Sequence, residues 1–401
     1  MGVVMKFDRS LERPQTGKMN GSSLGSFRSW LILAHKTIGL IFGAIFMLIG
    51  LSGAVLVYRD TIDESLNPGL MRVEPQKGRQ YRSIDDIFDA AKAAMPPEAK
   101  PERITLPRHA QAAATVTYLS ETDDLDTFAY DMFVDPYTAK VKGQRLKIHG
   151  DDRFSQPAIA LLMDFHWTLL LGANNAFLIG CVAIVIFLSI LIGFYLWWPL
   201  NGNWRLGLKI KWPATSRRII YDLHRATGFY FGLILLISLF TGVAMIFKPV
   251  TRDLVSLVSP VRGKEDFGKS NFSDGRTPIS PGAAVRIADA VFPQGRLHWI
   301  LLPTSPTGVY VVGKQSASEP NRSKTFHNVG IDQYSGAVTR IQDRDTYRFG
   351  DKFMEWLFPL HSGEFLGETG RPLFVLLGLS PLLLFTTGVL RWSSKRRARK
   401  T

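Results

Sequence analysis

Four histidines, His35, His166, His224 and His361, lie in or at the edge of long stretches that are nearly free of charge. An ionisable ring in such a place is costly and is normally kept because it has a partner. Two sequence contexts recur: "LAHKTIGLIFG" with "DLHRATGFYFG", and "DFHWTLLLG" with "LHSGEFLG". Imidazoles paired at one depth between helices suit axial ligation of a flat, apolar haem. A single histidine at a membrane rim is more often an interfacial or hydrogen-bonding residue than a ligand.

About twenty apolar residues are needed to cross a hydrocarbon core of roughly 30 Å, and four segments have that length. They set the following division: a leader 1–29, a span 30–58, an outer segment 59–165, a span 166–198, a connector 199–222, a span 223–247, a second outer segment 248–360, an outer loop and span 361–392, and a basic tail 393–401. The fold class is therefore an α-helical membrane protein carrying α+β modules. His35 and His224 fall at one rim and His166 and His361 near the other, because His35 to Tyr58 covers about 23 residues, roughly 34 Å of helix.

The chain has 401 residues, with 48 Lys+Arg against 34 Asp+Glu, a formal charge of +14. That excess is segregated. Lys6, Arg9, Arg13, Lys18 and Arg28 precede the first span; Arg205, Lys209, Lys211, Arg217 and Arg218 lie in the connector; Arg391, Lys395, Arg396, Arg397, Arg399 and Lys400 close the chain. With four spans all three clusters share one side, which the positive-inside rule makes cytoplasmic, with both termini there and the two long segments periplasmic. The lipid bilayer is the partner this charge implies, and no zinc-finger or RNA-binding spacing points to nucleic acid. Cys181 is the only cysteine, so a disulfide framework or a covalently attached c-type haem is excluded within one chain.

Each outer segment reads as a helix followed by strands. "SIDDIFDAAKAAMP", capped by Ser83, precedes "ITLPRH", "AATVTYLS" and "TFAYDMFVDPYTAKVKG"; "ISPGAAVRIADAVFP", capped by Ser280, precedes "LHWILLP", "GVYVVGK" and "TFHNVGIDQYSGAVTRIQD". The repeat continues into the membrane. Aligning His35 with His224 brings Gly39 to Gly228, Gly43 to Gly232 and Gly53 to Gly242; aligning His166 with His361 brings Gly172 to Gly367, Gly193 to Gly388 and Trp197 to Trp392. The chain is a tandem copy of span, outer module, span.

These blocks, in this order and spacing, resemble the PepSY-associated transmembrane helix family of bacterial inner membranes, over about residues 25 to 395. The resemblance implies an iron-regulated inner-membrane protein of the ferric-siderophore reductase type, with b-type haem on membrane histidines. On that reading one bis-histidine haem b sits on His35 and His224 and a second on His166 and His361. Lys36, Arg225 and Arg371 are placed to meet propionates. The implied reaction is oxidoreductase chemistry: periplasmic ferric siderophore, the substrate partner, is reduced from Fe(III) to Fe(II). No dinucleotide fingerprint is present, so a quinol or a separate reductase must supply the electrons.

Other readings stay open beside this one. The span glycines suit helix packing, and Met163 and Met245 suit gap-filling or substitute axial ligation. His109, His149, His298 and His327 suit ordinary surface or strand roles, Asp135 and Asp332 suit turns, and Trp167, Trp197, Trp198, Trp356 and Trp392 suit an aromatic belt. A siderophore-related transporter or permease without haem, or a PepSY-type regulatory or scaffolding membrane protein, would use the same duplicated plan.

Overall fold

The computed structural model describes residues 21–397 apart from 77, 122–126, 150–151, 199–201, 203, 264–265, 272–274, 318 and 321. Lys6, Arg9, Arg13, Lys18, Arg399 and Lys400 lie outside the described residues. Inside a bilayer no water satisfies the backbone, so each apolar run forms a helix. Helix α1 (Gly21–Leu56) is followed by α2 (Arg59–Leu66), α3 (Pro68–Met71) and α4 (Ile84–Ala94). Next come α5 (Ala158–Thr168), α6 (Ala176–Trp197), α7 (Trp204–Leu208), α8 (Ser216–Ile246), α9 (Lys248–Ser256), α10 (Pro281–Val291), α11 (Phe349–Ser362) and α12 (Gly367–Arg397). Four stretches are long and apolar enough to cross a membrane: Ser26–Leu56, Ala158–Trp197, Ser216–Ile246 and Glu364–Arg397.

Helix α1 packs on α6 and α12, and so does α8, so α1 and α8 occupy opposite corners of the bundle. The closest seam is between α1 and α12. A Cβ on Gly50 would meet the Gly378 carbonyl oxygen at 2.7 Å, and a Cβ on Gly378 would meet that of Gly50 at 2.7 Å. Small residues bring the backbones together here as they do in membrane helix pairs generally.

The second and fourth spans are not the continuous helices the hydropathy predicts from His166 and His361 onward. Helix α5 ends after Thr168, with Leu169 and Leu170 at positive φ of 53° and 61°, and α6 starts afresh at Ala176. The other half breaks at the same place, between Gly363 (φ 81°) and Gly367 (φ 64°). Both second-set histidines thus ride on separate short helices, α5 against α1 and α11 against α8.

The two outer segments form one antiparallel sheet rather than two separate modules. Its strands are β1 (Lys100–Thr105), β2 (Ala114–Glu121), β3 (Thr127–Val134), β4 (Val141–His149), β5 (Arg296–Leu301), β6 (Val309–Gln315), β7 (His327–Asp332) and β8 (Val338–Gln342), in the order β4-β3-β2-β1-β5-β6-β7-β8. The seam is β1 with β5, where Ile104 pairs with Ile300 and both are fully buried. Joining there removes two exposed strand edges, one from each half. Helices α4 and α10 lie together over a shared core that includes Ile87, Ala91, Ala284, Ala288, Val116 and Val312. Ser83 accepts from the Asp86 amide at 3.0 Å and Ser280 from the Ala283 amide at 3.2 Å, so both predicted caps are in place. One sheet built from both segments puts them on the same side of the bundle.

Candidate functional site

The diagonal corners α1 and α8 carry the first histidine pair. His35 and His224 face each other with ring centroids 6.3 Å apart and planes at 78°. The second pair comes from α5 and α11: His166 and His361 stand 6.1 Å apart with planes at 64°. Along α1, His35 and the contact with His166 at Ser52 are separated by about 17 residues, roughly 25 Å of helix.

Every one of the four rings is braced in the same manner. His35 Nδ1 donates to the Ser189 carbonyl at 2.9 Å, with Ser189 Oγ at 3.0 Å. His224 Nδ1 donates to the Leu384 carbonyl at 3.1 Å and to Thr387 Oγ1 at 2.9 Å. His166 Nδ1 reaches the Ile49 carbonyl at 3.1 Å and Ser52 Oγ at 2.9 Å. His361 Nδ1 reaches the Ser238 carbonyl at 2.9 Å and Thr241 Oγ1 at 3.3 Å. Carbonyl oxygens only accept, so Nδ1 carries the hydrogen and Nε2 keeps its lone pair, the tautomer a metal ligand needs. Glycines complete each cradle: a Cβ on Gly193, Gly53 or Gly242 would come within 3.0 to 3.2 Å of Cε1 of His35, His166 or His361. Gly388 stands 3.6 Å from Cε1 of His224 in the same sense.

The residues fit two axially ligated haems. An iron–imidazole bond is about 2.0 Å and a ring centroid lies about 1.1 Å behind its nitrogen, so two imidazoles on one iron have centroids about 6.2 Å apart. Both pairs have that separation. Among the described residues no third histidine, cysteine or carboxylate joins either pair. A bare ion would be left with two ligands, whereas a porphyrin brings four nitrogens of its own. One turn beyond His35 and His224, a Cβ on Gly39 would meet nothing within 4 Å and one on Gly228 only Leu384 at 3.8 Å, which leaves room beside the rings. Between the two pairs the interior is apolar, with Leu235, Phe374 and Leu377 buried against Phe46, Ile190 and Phe231.

The three cations named for propionates have different settings. Lys36 is exposed. Arg225 donates to Asp222 Oδ1 at 3.0 Å, and the fully buried Asp222 also takes Arg218 Nε at 2.8 Å and the Lys211 amide at 3.2 Å. Arg371 pairs with Glu368 at 3.1 Å and lies over the Tyr58 ring. Asp222 therefore ties the connector to α8, a role the sequence reading missed. Met163 lies on α5, three residues before His166, and Met245 on α8, near the end that packs against α11. Asp135 Oδ1 accepts from the Tyr137 amide at 2.8 Å and Asp332 Oδ1 from the Tyr334 amide at 2.8 Å, so both form turns. His109 Nε2 lies 3.1 Å from Glu64, and His298 sits in the bulge of β5. A cleft of about 270 Å³ lies apart from the rings, lined by Asp63, Asn67, Arg145 and Gln156, and its arginine is bonded twice to Asp63, at 2.8 and 3.0 Å.

The residues missed around the rings, Ser52, Ser189, Thr241 and Thr387, are buried hydroxyls in apolar helices. A polar residue in such a place was the available signal.

Four apolar spans, one shared α+β sheet and two histidine pairs held between helices define a multi-pass α-helical membrane protein built by duplication. The chain belongs to the PepSY-associated TM region family, which it matches over residues 32–395. None of the curated proteins matches it.

Proposed function

We propose that the protein is a di-haem b electron-transfer protein of the bacterial inner membrane that reduces a periplasmic ferric siderophore. The observation that carries the reading is the pair of facing histidine sets, each with Nδ1 tied to a neighbouring helix and Nε2 left free. His35 with His224, and His166 with His361, would each hold a haem, which would supply one-electron transfer when bound.

The chain's own part is to hold and shield. Helices α1 and α8 present His35 and His224 toward the basic flanks, and α5 and α11 present His166 and His361 toward the sheet. The apolar packing around Leu235 and Leu377 excludes water between the two levels. The basic flanks, including Arg217, Arg218 and Lys395, orient that side to the cytoplasm, where a quinol or a separate reductase is the donor. The substrate is met on the sheet side, and reduction of Fe(III) to Fe(II) loosens its hold in hard oxygen ligands, which releases the iron.

Detergent-purified protein from haem-replete cells tests this. Reduced-minus-oxidised b-type bands with two haems per chain, lost in part when any one of the four histidines becomes alanine, are expected. Prereduced protein should then be reoxidised by a ferric siderophore under anoxia. An absorbance-silent preparation overturns the proposal.

A further inference from the structure

A second group of ligating side chains lies outside the membrane, on the far half of the sheet. His327 opens β7, and Asp343 and Asp345 belong to the 3-10 turn that follows β8. One ligand atom from each lies within 4.8 Å of the other two. His327 Nε2 is 3.6 Å from Asp343 Oδ1, beyond direct hydrogen-bond range. Atoms bound to a common ion at about 2.0–2.2 Å lie about 3–4 Å apart, so closing the group takes about 1 Å of side-chain movement.

The other nitrogen of this ring is engaged from behind. His327 Nδ1 lies 2.5 Å from Glu319 Oε1, and the Glu319 side chain is completely buried, its second oxygen without a partner among the described residues. A carboxylate on Nδ1 fixes the hydrogen there and leaves the Nε2 lone pair facing the aspartates, as in carboxylate–histidine–metal triads. Phe292 packs edge-on against the ring at 5.1 Å and holds its orientation.

Among the described residues no lysine or arginine pairs with either aspartate. Arg344 stands between them in sequence, but its Nε donates to Glu355 Oε1 on α11 at 2.6 Å. Asp345 is exposed, and its carboxylate has no hydrogen-bond or ion-pair partner among the described residues. Asp343 Oδ1 accepts from the Asp345 amide at 2.9 Å, and no side-chain donor among the described residues is bonded to either carboxylate, so a lone pair and two carboxylates converge.

We propose that His327, Asp343 and Asp345 bind a divalent first-row transition cation, with Glu319 the positioning residue that presents Nε2. One imidazole and two carboxylates suit Fe(II), Mn(II) or Zn(II) and leave positions for water. An exposed three-ligand site favours exchange over permanent retention. Naming Fe(II) as the natural ion rests on the proposed function, since it is the product released on the sheet side; the site itself does not depend on it.

Full-length protein in detergent, stripped with chelator, is titrated with Mn(II) alone, followed by the resonance of the free ion, and with Fe(II) alone under anoxia. One saturable site per chain is expected, weakened at least tenfold by Asp345→Asn and by Glu319→Gln. Because Glu319 is buried, Asp345→Asn on the exposed turn is the deciding variant, and its thermal unfolding should match that of the parent chain. Wild-type protein that binds neither ion saturably, or Asp345→Asn with the parent's affinity, overturns the site. The haem spectrum of the same wild-type preparation separates the two proposals: ion binding without b-type bands removes the function and keeps the site, and bands without ion binding do the reverse.

Discussion

Thr387 Oγ1 lies 2.9 Å from His224 Nδ1 while its own hydrogen goes back to the Leu383 carbonyl at 2.6 Å. With that hydrogen committed, the hydroxyl can only accept from the ring. Ser52 and Thr241 do the same for the second pair, donating to the Ile49 carbonyl at 2.8 Å and the Ile237 carbonyl at 2.9 Å. The tautomer of each ring is thus set by a neighbouring helix.

Replacing this acceptor should loosen the ligand without removing it. Thr387→Val is expected to weaken cofactor retention at the His35 and His224 pair by about tenfold, the usual scale for losing an outer-shell partner. Thr387→Ser should restore it. Transfer of haem to apomyoglobin, followed for each spectral component, measures the difference.

Gly39 separates the needs of the fold from those of the cofactor. A Cβ there would meet nothing within 4 Å, so Gly39→Leu should leave thermal unfolding of haem-free protein nearly unchanged. In haem-replete cells the same variant should retain one haem per chain instead of two, read by pyridine haemochrome against protein concentration.

Asp85 joins the halves of the sheet layer. Its carboxylate accepts from Ser280 Oγ at 2.9 Å and from the Gly282 amide at 2.7 Å, capping α10 from the other repeat. Asp85→Ala should cost about 1–2 kcal/mol, the range for a lost cap, and lower the melting temperature without altering the haem spectrum.

His298 gives the sheet a pH dependence. Burial first, then the charges of Arg296 and Arg103, lower its pKa from 6.5 to about 4. In the unfolded chain this histidine takes up a proton as pH falls through its ordinary value, while the folded one stays neutral, so the unfolded state is favoured. Stability should be at its full value above about pH 6.5 and fall steadily toward about pH 4. Melting temperatures at pH 7.5 and pH 5.0 should differ less in His298→Gln than in the parent chain.

The spans and the pairing of the histidines were readable because one offset carries His35, Gly39 and Gly53 onto His224, Gly228 and Gly242. The helix breaks were not. "TLLLGANNAFL" stays apolar through Leu169 and Leu170, and leucine gives no local sign of a left-handed backbone, so α5 and α6 read as one span. The repeat order of helix and strands was also visible, but the pairing of Ile104 with Ile300 joins residues nearly two hundred positions apart, and local patterning does not report such contacts. The capping serines were found since a cap acts over three residues; the hydroxyls that brace the rings act between helices and stood out only as polar residues in greasy surroundings.

Each facing histidine pair consists of equivalent positions from the two copies, and so does the seam between Ile104 and Ile300. All three are thus self-equivalent contacts of the kind a pseudo-twofold axis produces. A lone copy of the unit, associating with itself about that axis, would complete both imidazole clamps and close the sheet in one step. Fusion of two genes then needed to invent no new contact, and it freed each half to diverge, as the carbonyl-only equivalent of Ser189 at Leu384 and the cluster of His327, Asp343 and Asp345 in the second half now show.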